Sequence, residues 1–263
     1  MEDRTFYLSL PDARLRVRAI TPTGADLDNG PVLVFLHEGL GCIEIWRDFP
    51  MALVAATGLP AVIYDRQGSG GSDPLPGPRR ESHFRREAEE FLPGVLAACG
   101  VNRPLLVGHS DGGTIALYFA AAFPGRAVGV ITEAAHVMVE EKTLAGIRQT
   151  VRAFESGGLR EKLARYHGGN TDSMFHGWAD IWLDQSHEDW NMEALLSAIT
   201  CPVLVLQGED DEYGSIAQVR AICEGVSGRS KSVVLPGCAH VPHHQAREAV
   251  LAEMARFVAY LTR

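Results

Sequence analysis

Short apolar runs recur along most of the chain and predict strands. The first two candidates, residues 5–9 and 13–20, alternate polar and apolar positions, which is the period of a half-exposed antiparallel strand. The later candidates are continuously apolar, as in strands covered on both faces. They comprise residues 31–36, 61–64, 104–107, 127–132 and 201–207, and a further strand is predicted at 232–235. The pattern therefore predicts eight strands, most of them buried.

Segments with helical spacing follow most of these runs. Helices are predicted at about 47–57, from Ser82 to about Cys99, over 114–121, at about 215–225 and from about Gln245 to Thr262. Regular alternation of strands and helices indicates a mostly parallel sheet with helices on both faces. The predicted fold class is therefore α/β, with an eight-stranded sheet at its centre.

The alternation stops between residues 136 and 199, where no strand pattern is present. Helices are predicted there at about 140–155, 159–166, 172–185 and 191–199. We interpret this segment as a helical cap inserted after the sixth strand, and residues 1–135 and 200–263 as the core domain. Trp178 and Trp182 share one face of a cap helix. We expect them to seat the cap and, with neighbouring aromatic residues, to line a cleft.

Composition and charge narrow the range of partners. The chain has 263 residues and a formal net charge of −9, which argues against a nucleic-acid partner and gives no reason to expect a membrane. The N-terminus lacks the pattern of a signal peptide, and the five scattered cysteines are typical of free thiols in the cytoplasm. We expect a small-molecule substrate and no cofactor, and we leave a homodimer open.

The stretch Gly108-His109-Ser110-Asp111-Gly112 lies between the strand at 104–107 and the helix at 114–121. This strand, sharp turn and helix is the arrangement that presents a serine hydroxyl above a parallel sheet. The turn is strained, and glycine tolerates crowded backbone that a Cβ would block. Ser110 is therefore the candidate nucleophile.

Four motifs together resemble the α/β-hydrolase superfamily, and the resemblance covers almost the whole chain. Besides the serine turn, they are His37-Glu38-Gly39-Leu40-Gly41, Asp65-Arg66-Gln67-Gly68-Ser69-Gly70-Gly71-Ser72, Gly208-Glu209-Asp210-Asp211 and Ala239-His240. Each follows a predicted strand in the order that this superfamily uses. The resemblance implies the α/β-hydrolase fold, and it is to serine-nucleophile members of the esterase or lactonase type with a helical cap.

The resemblance also implies a catalytic triad of Ser110, Asp211 and His240. A serine hydroxyl needs a base within hydrogen-bond reach, and the base needs a carboxylate that fixes its tautomer. Asp210 is the alternative acid, and Glu133 is a more distant one. His243 and His244 are interpreted as a polar helix start, and no metal site is expected because no acidic or cysteine partner lies at ligand spacing.

The resemblance also implies an oxyanion hole, formed by two backbone N–H groups. Asp111 is expected to supply one backbone N–H and Gly39 the other. Glu38 stands where the superfamily usually has glycine, so Glu38 and Leu40 remain alternative donors. The Asp111 side chain is interpreted as a solvated or salt-bridged residue at a helix start.

These features predict a serine hydrolase that cleaves a carboxylic ester, lactone or similar acyl bond of a small, largely apolar molecule. The alternatives are carbon–carbon bond hydrolysis, perhydrolysis or cofactor-free oxygenation on the same triad, and a non-catalytic ligand receptor. Epoxide hydrolases and dehalogenases are disfavoured, because the resemblance implies aspartate at the nucleophile position in those members. Candidate pocket residues are Glu38, Leu40, His136, Met138, Trp178 and Trp182.

Overall fold

A computed structural model of the protein describes residues 1–80 and 82–263. Its eight strands form one sheet in the order β1-β2-β4-β3-β5-β6-β7-β8. The strands are β1 (Glu2–Ser9), β2 (Arg14–Thr21), β3 (Pro31–Leu36), β4 (Ala61–Tyr64), β5 (Arg103–His109), β6 (Gly129–Glu133), β7 (Val203–Gly208) and β8 (Ser230–Leu235). β1 and β2 are antiparallel to their neighbours, and β3 to β8 are mutually parallel. The predicted fold class is confirmed.

The two kinds of apolar pattern correspond to two environments in the sheet. In β2 the side chains of Leu15, Val17 and Ala19 are buried, whereas Arg16 and Arg18 are partly exposed. All residues of β4, β6 and β7 are buried. When both faces of a strand are buried, side chains on either face avoid solvent, so the sequence of the strand is apolar throughout.

Helices pack on both faces of the sheet and enclose two hydrophobic cores. The α-helices outside the 136–199 segment are α1 (Phe49–Thr57), α2 (His83–Arg86), α3 (Leu92–Ala98), α4 (Asp111–Ala122), α9 (Ile216–Gly225), α10 (Pro242–Gln245) and α11 (Arg247–Leu261). The predicted helix from Ser82 to Cys99 is present as α2 and α3, joined by a wider helical turn over Glu87–Phe91. Pro93 lies directly after that turn and has no N–H to donate to the preceding turn.

The predicted last helix is present as α11, which begins two residues after Gln245, and the short helix α10 precedes it. Ala246 leaves the helical region, with φ −128° and ψ 39°, and divides the segment into α10 and α11. Gln245 lies on the shorter helix, where its side-chain oxygen accepts the backbone N–H groups of Ala239 and Val241. The break therefore allows Gln245 to hold the turn that contains His240.

Four α-helices lie between β6 and β7, namely α5 (Glu141–Ser156), α6 (Leu159–His167), α7 (Thr171–Leu183) and α8 (Glu193–Leu196). His167 of α6 joins them to two loops of the sheet edge: its Nδ1 accepts the Gly70 N–H at 2.9 Å, and its Nε2–H donates to the Leu40 carbonyl at 3.0 Å. Trp178 of α7 lies directly against Gly39. We propose that these helices form the cap. No helix within the described ranges is long and apolar enough to cross a membrane.

Candidate active site

Ser110 lies in a strained turn between β5 and α4. Its φ is +51° and its ψ is −119°, a conformation that is costly for a residue with a Cβ. The turn is held by the Ser110 N–H, which donates to the Glu133 carbonyl at 2.8 Å. A Cβ at Gly108 would collide with the Gly112 backbone, and one at Gly112 would collide with the Leu36 carbonyl. The glycines therefore let the turn pack against the neighbouring strands.

The three residues predicted as a triad meet in space. Ser110 Oγ lies 3.0 Å from His240 Nε2. His240 Nδ1 lies 2.9 Å from each carboxylate oxygen of Asp211. These contacts join residues from the turn after β5, the loop after β7 and the loop after β8. Because all three strands are parallel, their carboxyl ends meet at one edge of the sheet.

The alternative acids do not reach His240. Asp210 has an exposed side chain, and its backbone N–H donates to the Cys238 carbonyl. Glu133 is fully buried, and its carboxylate contacts His243 instead. Asp211 is therefore the carboxylate that orients His240.

The charge of Asp211 is stabilised by several donors. Its carboxylate accepts the backbone N–H groups of Tyr213 at 2.8 Å and Gly214 at 3.2 Å, and the side-chain N–H of Gln207 at 2.6 Å. Burial raises the pKa of Asp211, but the hydrogen bond and charge of His240 and the Tyr213 N–H outweigh burial and lower it to about 2. Burial lowers the pKa of His240, and its hydrogen bond to Asp211 and the charges of Asp211, Glu212 and Glu38 reverse this, so the net shift is upward.

Several backbone N–H groups near Ser110 were candidates for binding an oxyanion. Among the described residues, the N–H groups of Gly39 and Asp111 donate no hydrogen bond. The Leu40 N–H donates to the carboxylate of Glu38, so Leu40 is excluded as the second donor. Gly39 and Leu40 both line the cleft in front of Ser110. Asp111 is therefore available as one donor. Glu38, whose N–H also donates no hydrogen bond within the described ranges, stays an alternative to Gly39 as the second donor.

The two unusual acidic side chains differ in their surroundings. The Glu38 carboxylate turns back onto its own loop and also lines the cleft. Burial and the nearby charge of Asp111 raise the pKa of Glu38 to about 7, burial being the largest cause, although the hydrogen bond from the Leu40 N–H lowers it. Asp111 is 1% exposed, and its Oδ2 lies 4.0 Å from the guanidinium of Arg66. Of the two surroundings expected for the Asp111 side chain, solvent or a salt bridge, the structure shows the ionic contact.

A second acid–histidine pair lies beneath the first. Glu133 Oε2 is 2.6 Å from His243 Nδ1, and the His243 N–H donates to the same oxygen at 3.2 Å. Both side chains are at most 1% exposed. His109 completes this layer, because its Nε2–H donates to the backbone carbonyl of His240 at 2.6 Å. His243 and His244 do lie at a helix start, in α10, but His243 is buried there and paired with Glu133.

The cleft above Ser110 has a volume of about 210 Å³. Its lining residues are Glu38, Gly39, Leu40, His109, Ser110, Asp111, His136, Thr143, Ile147, Trp178, Trp182, Glu212, Tyr213, His240 and Val241. His136, Trp178 and Trp182 are placed as the sequence predicted. Met138 is not: it pairs with Asn191 in a short β-bridge, and its carbonyl accepts a bond from Gln218. This strand-like pairing lies two residues after His136, and Met138 is not among the residues that line the cleft.

Sequence reasoning missed Thr143, Ile147, Glu212 and Tyr213 as lining residues. Glu212 and Tyr213 directly follow Asp211, so their proximity to the acid was a usable signal. Thr143 and Ile147 lie on α5, one turn apart, and their Cβ atoms share a helix face. Which face of α5 turns toward the sheet depends on tertiary packing.

One other group of side chains has the composition of a metal site. Cys42, Glu44 and Asp65 lie together near the loop after β4. Arg16 bridges the two carboxylates, at 2.7 Å from Asp65 and 2.5 Å from Glu44. Burial and the two neighbouring carboxylates raise the pKa of the Cys42 thiol, which favours the protonated form. The guanidinium thus supplies the positive charge that a cation would bring.

Comparison with known proteins places the chain in a family. The model of the alpha/beta hydrolase family matches residues 33–253, which is most of the chain. The chain belongs to the α/β-hydrolase family. It is 28% identical over 116 residues to epoxide hydrolase 2 of Siraitia grosvenorii, an alignment that covers 43% of this chain and 35% of that protein. It is 25% identical over 256 residues to the biotin biosynthesis bifunctional protein BioHC of Cellvibrio japonicus, covering 86% and 47%.

Solved structures of this fold align over nearly the whole chain. A thermophilic esterase from Thermogutta terrifontis covers all of both chains with a TM-score of 0.73 and 20% identity. Proline iminopeptidase from Mycobacterium smegmatis gives a TM-score of 0.74 and 21% identity over 98% of this chain and 99% of that one. The curated relatives are longer, and this chain spans between a third and a half of their length. The α/β-hydrolase fold and membership of a hydrolase family are therefore established.

Proposed function

We propose that this α/β-hydrolase is a serine hydrolase that cleaves a carboxylic ester, a lactone or a similar acyl bond. The observation that carries the proposal is the continuous hydrogen-bonded chain from Ser110 through His240 to Asp211, which opens into a cleft. Gly39 and Asp111, whose N–H groups donate no hydrogen bond among the described residues, both line this cleft. Nucleophile, base, orienting acid and oxyanion donors are the components that acyl transfer requires.

Acylation follows from this arrangement. His240 Nε2 takes the proton of Ser110 as the serine oxygen attacks the carbonyl carbon of the substrate. The carbonyl oxygen becomes an oxyanion, which the N–H groups of Asp111 and Gly39 bind. Asp211 stabilises the imidazolium. When the tetrahedral intermediate collapses, the bond to the leaving alcohol breaks and that oxygen takes the proton from His240, leaving an ester on Ser110.

Deacylation repeats the chemistry with water as the nucleophile. His240 takes a proton from the water, and the resulting hydroxide equivalent attacks the acyl carbon. The bond to Ser110 Oγ then breaks, and Oγ recovers its proton from His240. The products are a carboxylic acid and the original alcohol, and the protein returns to its starting state.

The cleft favours small acyl compounds. A volume of about 210 Å³ is below the usual size of a drug-binding pocket. Ile147, Trp178 and Trp182 supply apolar surface. Two structural neighbours named for ester chemistry, the Thermogutta terrifontis esterase and an enol-lactonase from Burkholderia xenovorans, support this class, although their identities of 20% and 18% speak for fold alone. The relative named as an epoxide hydrolase would instead suggest cleavage of an epoxide. The resemblance implies an aspartate nucleophile for that reaction, whereas this chain has Ser110 at that position.

The experiment is a panel of p-nitrophenyl esters of increasing acyl length, with a p-nitroanilide and an epoxide as competing substrate classes. We expect turnover of the shorter esters and loss of that turnover in Ser110→Ala. Ester cleavage that survives in Ser110→Ala would overturn the acyl-enzyme. Turnover of the epoxide or anilide without any ester would move the protein to another reaction class of the same family.

A further inference from the structure

Acidic side chains outnumber permanently positive ones in the lining of the cleft. Glu38, Asp111 and Glu212 contribute carboxylates to its lining, whereas no lysine or arginine side chain is among the described lining residues. Its basic groups are the histidines His109, His136 and His240. Burial lowers the pKa of the first two, whereas the raised pKa of His240 reflects its pairing with the Asp211 carboxylate. A substrate with a negative charge would therefore be repelled, and a cationic one attracted.

Glu38 is the carboxylate best placed to act on a bound molecule. Its backbone directly precedes Gly39, whose N–H is a proposed oxyanion donor, and its side chain lies in the same cleft as Ser110. Glu212 is exposed at the surface, and Asp111 is directed toward Arg66. Within the described ranges the Glu38 carboxylate accepts a hydrogen bond only from the Leu40 N–H. A carboxylate has further acceptor positions, so it can take another donor.

Three aromatic side chains surround the same space. Trp178 lies against Gly39, Trp182 lies 5.5 Å from the His136 ring, and Tyr213 lies 4.5 Å from the His240 ring, as measured between ring centroids. All three line the cleft with Glu38. Aromatic faces attract cations, and they bind quaternary ammonium groups when several surround one site. The aromatic and acidic residues thus favour the same kind of ligand.

We propose that Glu38, Trp178, Trp182 and Tyr213 form a subsite for a cationic group, a protonated amine or a quaternary ammonium, on the ester that Ser110 cleaves. The inference rests on the proposed function and names its substrate class. It also explains Glu38 itself. A bound cation offsets the carboxylate beside the oxyanion hole, so the negative charge of the tetrahedral intermediate is opposed less than with a neutral substrate.

The proposal is tested with matched esters that differ only in charge. For a cation in the leaving group, butyrylthiocholine is compared with S-(3,3-dimethylbutyl) butanethioate, in which carbon replaces nitrogen. For a cation in the acyl group, the p-nitrophenyl esters of 4-(trimethylammonio)butanoate and 5,5-dimethylhexanoate are compared. We expect at least one cationic ester to exceed its isostere in kcat/KM by about tenfold or more. The arm that shows the preference identifies which side of the scissile bond meets Glu38.

The variant Glu38→Gln separates charge from loop structure. The glutamine oxygen can still accept the Leu40 N–H, so the loop keeps its hydrogen bond while the charge is removed. We expect the ratio of cationic to neutral kcat/KM to fall to within about threefold of unity. Glu209→Gln is the matched control, since it removes one acidic charge from an exposed residue that does not line the cleft, and it should keep the wild-type ratio.

The ratio should also depend on pH. Groups that act on Glu38 are Asp111, His240, Arg66, Tyr213 and the Leu40 N–H. Burial and Asp111 hold the pKa of Glu38 at about 7, so its negative charge is gained as the pH rises through that value. The preference for a quaternary ammonium, whose own charge is constant, should rise over the same range. The protonation of His240 changes kcat/KM for the cationic and the neutral ester by the same factor, so it cancels in the ratio of the two values.

A binding measurement does not depend on turnover. Isothermal titration calorimetry should detect binding of benzyltrimethylammonium to the Ser110→Ala variant. In the double variant Ser110→Ala/Glu38→Gln, we expect the Kd to be about tenfold higher or more. Equal kcat/KM for both matched pairs in the wild type, or a preference that Glu38→Gln retains, would overturn the subsite. If no ester is cleaved at all, the proposed function fails, and absence of ammonium binding then decides separately against the subsite.

Discussion

The protein contains two neighbouring acid–histidine pairs, Asp211–His240 and Glu133–His243, and their surroundings differ. Asp211 and His240 face the cleft, with His240 12% exposed. Glu133 and His243 lie below them, at most 1% exposed. The distances between acid and ring are similar, 2.9 Å in the first pair and 2.6 Å in the second. Geometry alone therefore does not separate a proposed catalytic pair from a buried structural one.

Electrostatics separates them. Asp211 has three N–H donors besides His240, and its pKa is lowered to about 2 while that of His240 is raised. Glu133 accepts one backbone N–H, its Oε1 has no partner among the described residues, and burial raises its pKa to about 7. Burial also lowers the pKa of His243 to about 3. The upper pair favours charge on both partners, and the lower pair favours their neutral forms.

The difference shows what makes an acid–histidine pair suitable for base catalysis. A general base must carry a proton transiently, and a carboxylate that stays ionised stabilises the resulting imidazolium. Asp211 is kept ionised by N–H donors that are already in place. The Glu133–His243 pair instead connects the end of β6 to the start of α10, three residues after His240. We propose that it holds the turn from which His240 projects.

The largest expected effect is on turnover, from removing the charge of the upper pair. Asp211→Asn should reduce kcat by roughly 10⁴-fold, because the amide no longer fixes the tautomer of His240 or stabilises its charged form. Asp210→Asn is the matched control: its side chain is exposed and should leave kcat within about twofold. Steady-state kinetics on the best p-nitrophenyl ester measures both. A comparable loss in Asp210→Asn would mean that the acid is wrongly assigned.

The lower pair should affect stability rather than chemistry. Glu133→Ala leaves the ring nitrogen and the backbone N–H of His243 buried without their partner, and it should lower the free energy of unfolding by about 2–4 kcal/mol. Glu133→Gln preserves the shape of a neutral carboxyl group and should cost less than about 1 kcal/mol. Urea denaturation measures both variants. If Glu133→Gln were as damaging as Glu133→Ala, the buried pair would depend on charge.

These two pairs also show where the sequence is informative. Ser110, Asp211 and His240 were predictable because each follows a strand of the parallel sheet, and the carboxyl ends of such strands converge. The strands themselves were predictable because buried strands are continuously apolar. The loop after β3 was expected beside Ser110 for the same reason, and Glu38, Gly39 and Leu40 all line the cleft.

What the sequence did not reveal depends on side-chain direction and on distant packing. Glu133 and His243 are 110 residues apart, and nothing local marks either as the other's partner. Met138 was assigned to the cleft because it lies near His136, but its pairing with Asn191 turns it aside. The hydrogen bond from Leu40 to Glu38 depends on the conformation of the loop. Similarly, the break at Ala246 is set by the contacts of Gln245.

A smaller effect concerns the pH at which the upper pair titrates. Only neutral His240 can accept the Ser110 proton, and its pKa is raised above 6.5 by Asp211, Glu212 and Glu38 against the effect of burial. The kcat/KM for a neutral ester should therefore be lost as the pH falls through a midpoint above 6.5.

The charge of Glu212 sharpens this expectation. Because Glu212 contributes to the raised pKa of His240, Glu212→Gln should move the midpoint downward by about half a pH unit or less, given screening at an exposed residue. Glu209→Gln should leave it unchanged. A midpoint below 6.5 in the wild type would contradict the assignment of Asp211 as the ionised partner.

The most direct test of the account is to trap the covalent intermediate. Rapid acid quenching after mixing with p-nitrophenyl acetate, followed by intact-protein and peptide mass spectrometry, should show one acetyl group on the peptide that contains Ser110. Ser110→Ala should show none and should release no p-nitrophenol above background. Wild-type turnover with no acyl group on Ser110, or an acyl group carried by another residue in both proteins, would contradict the central claim.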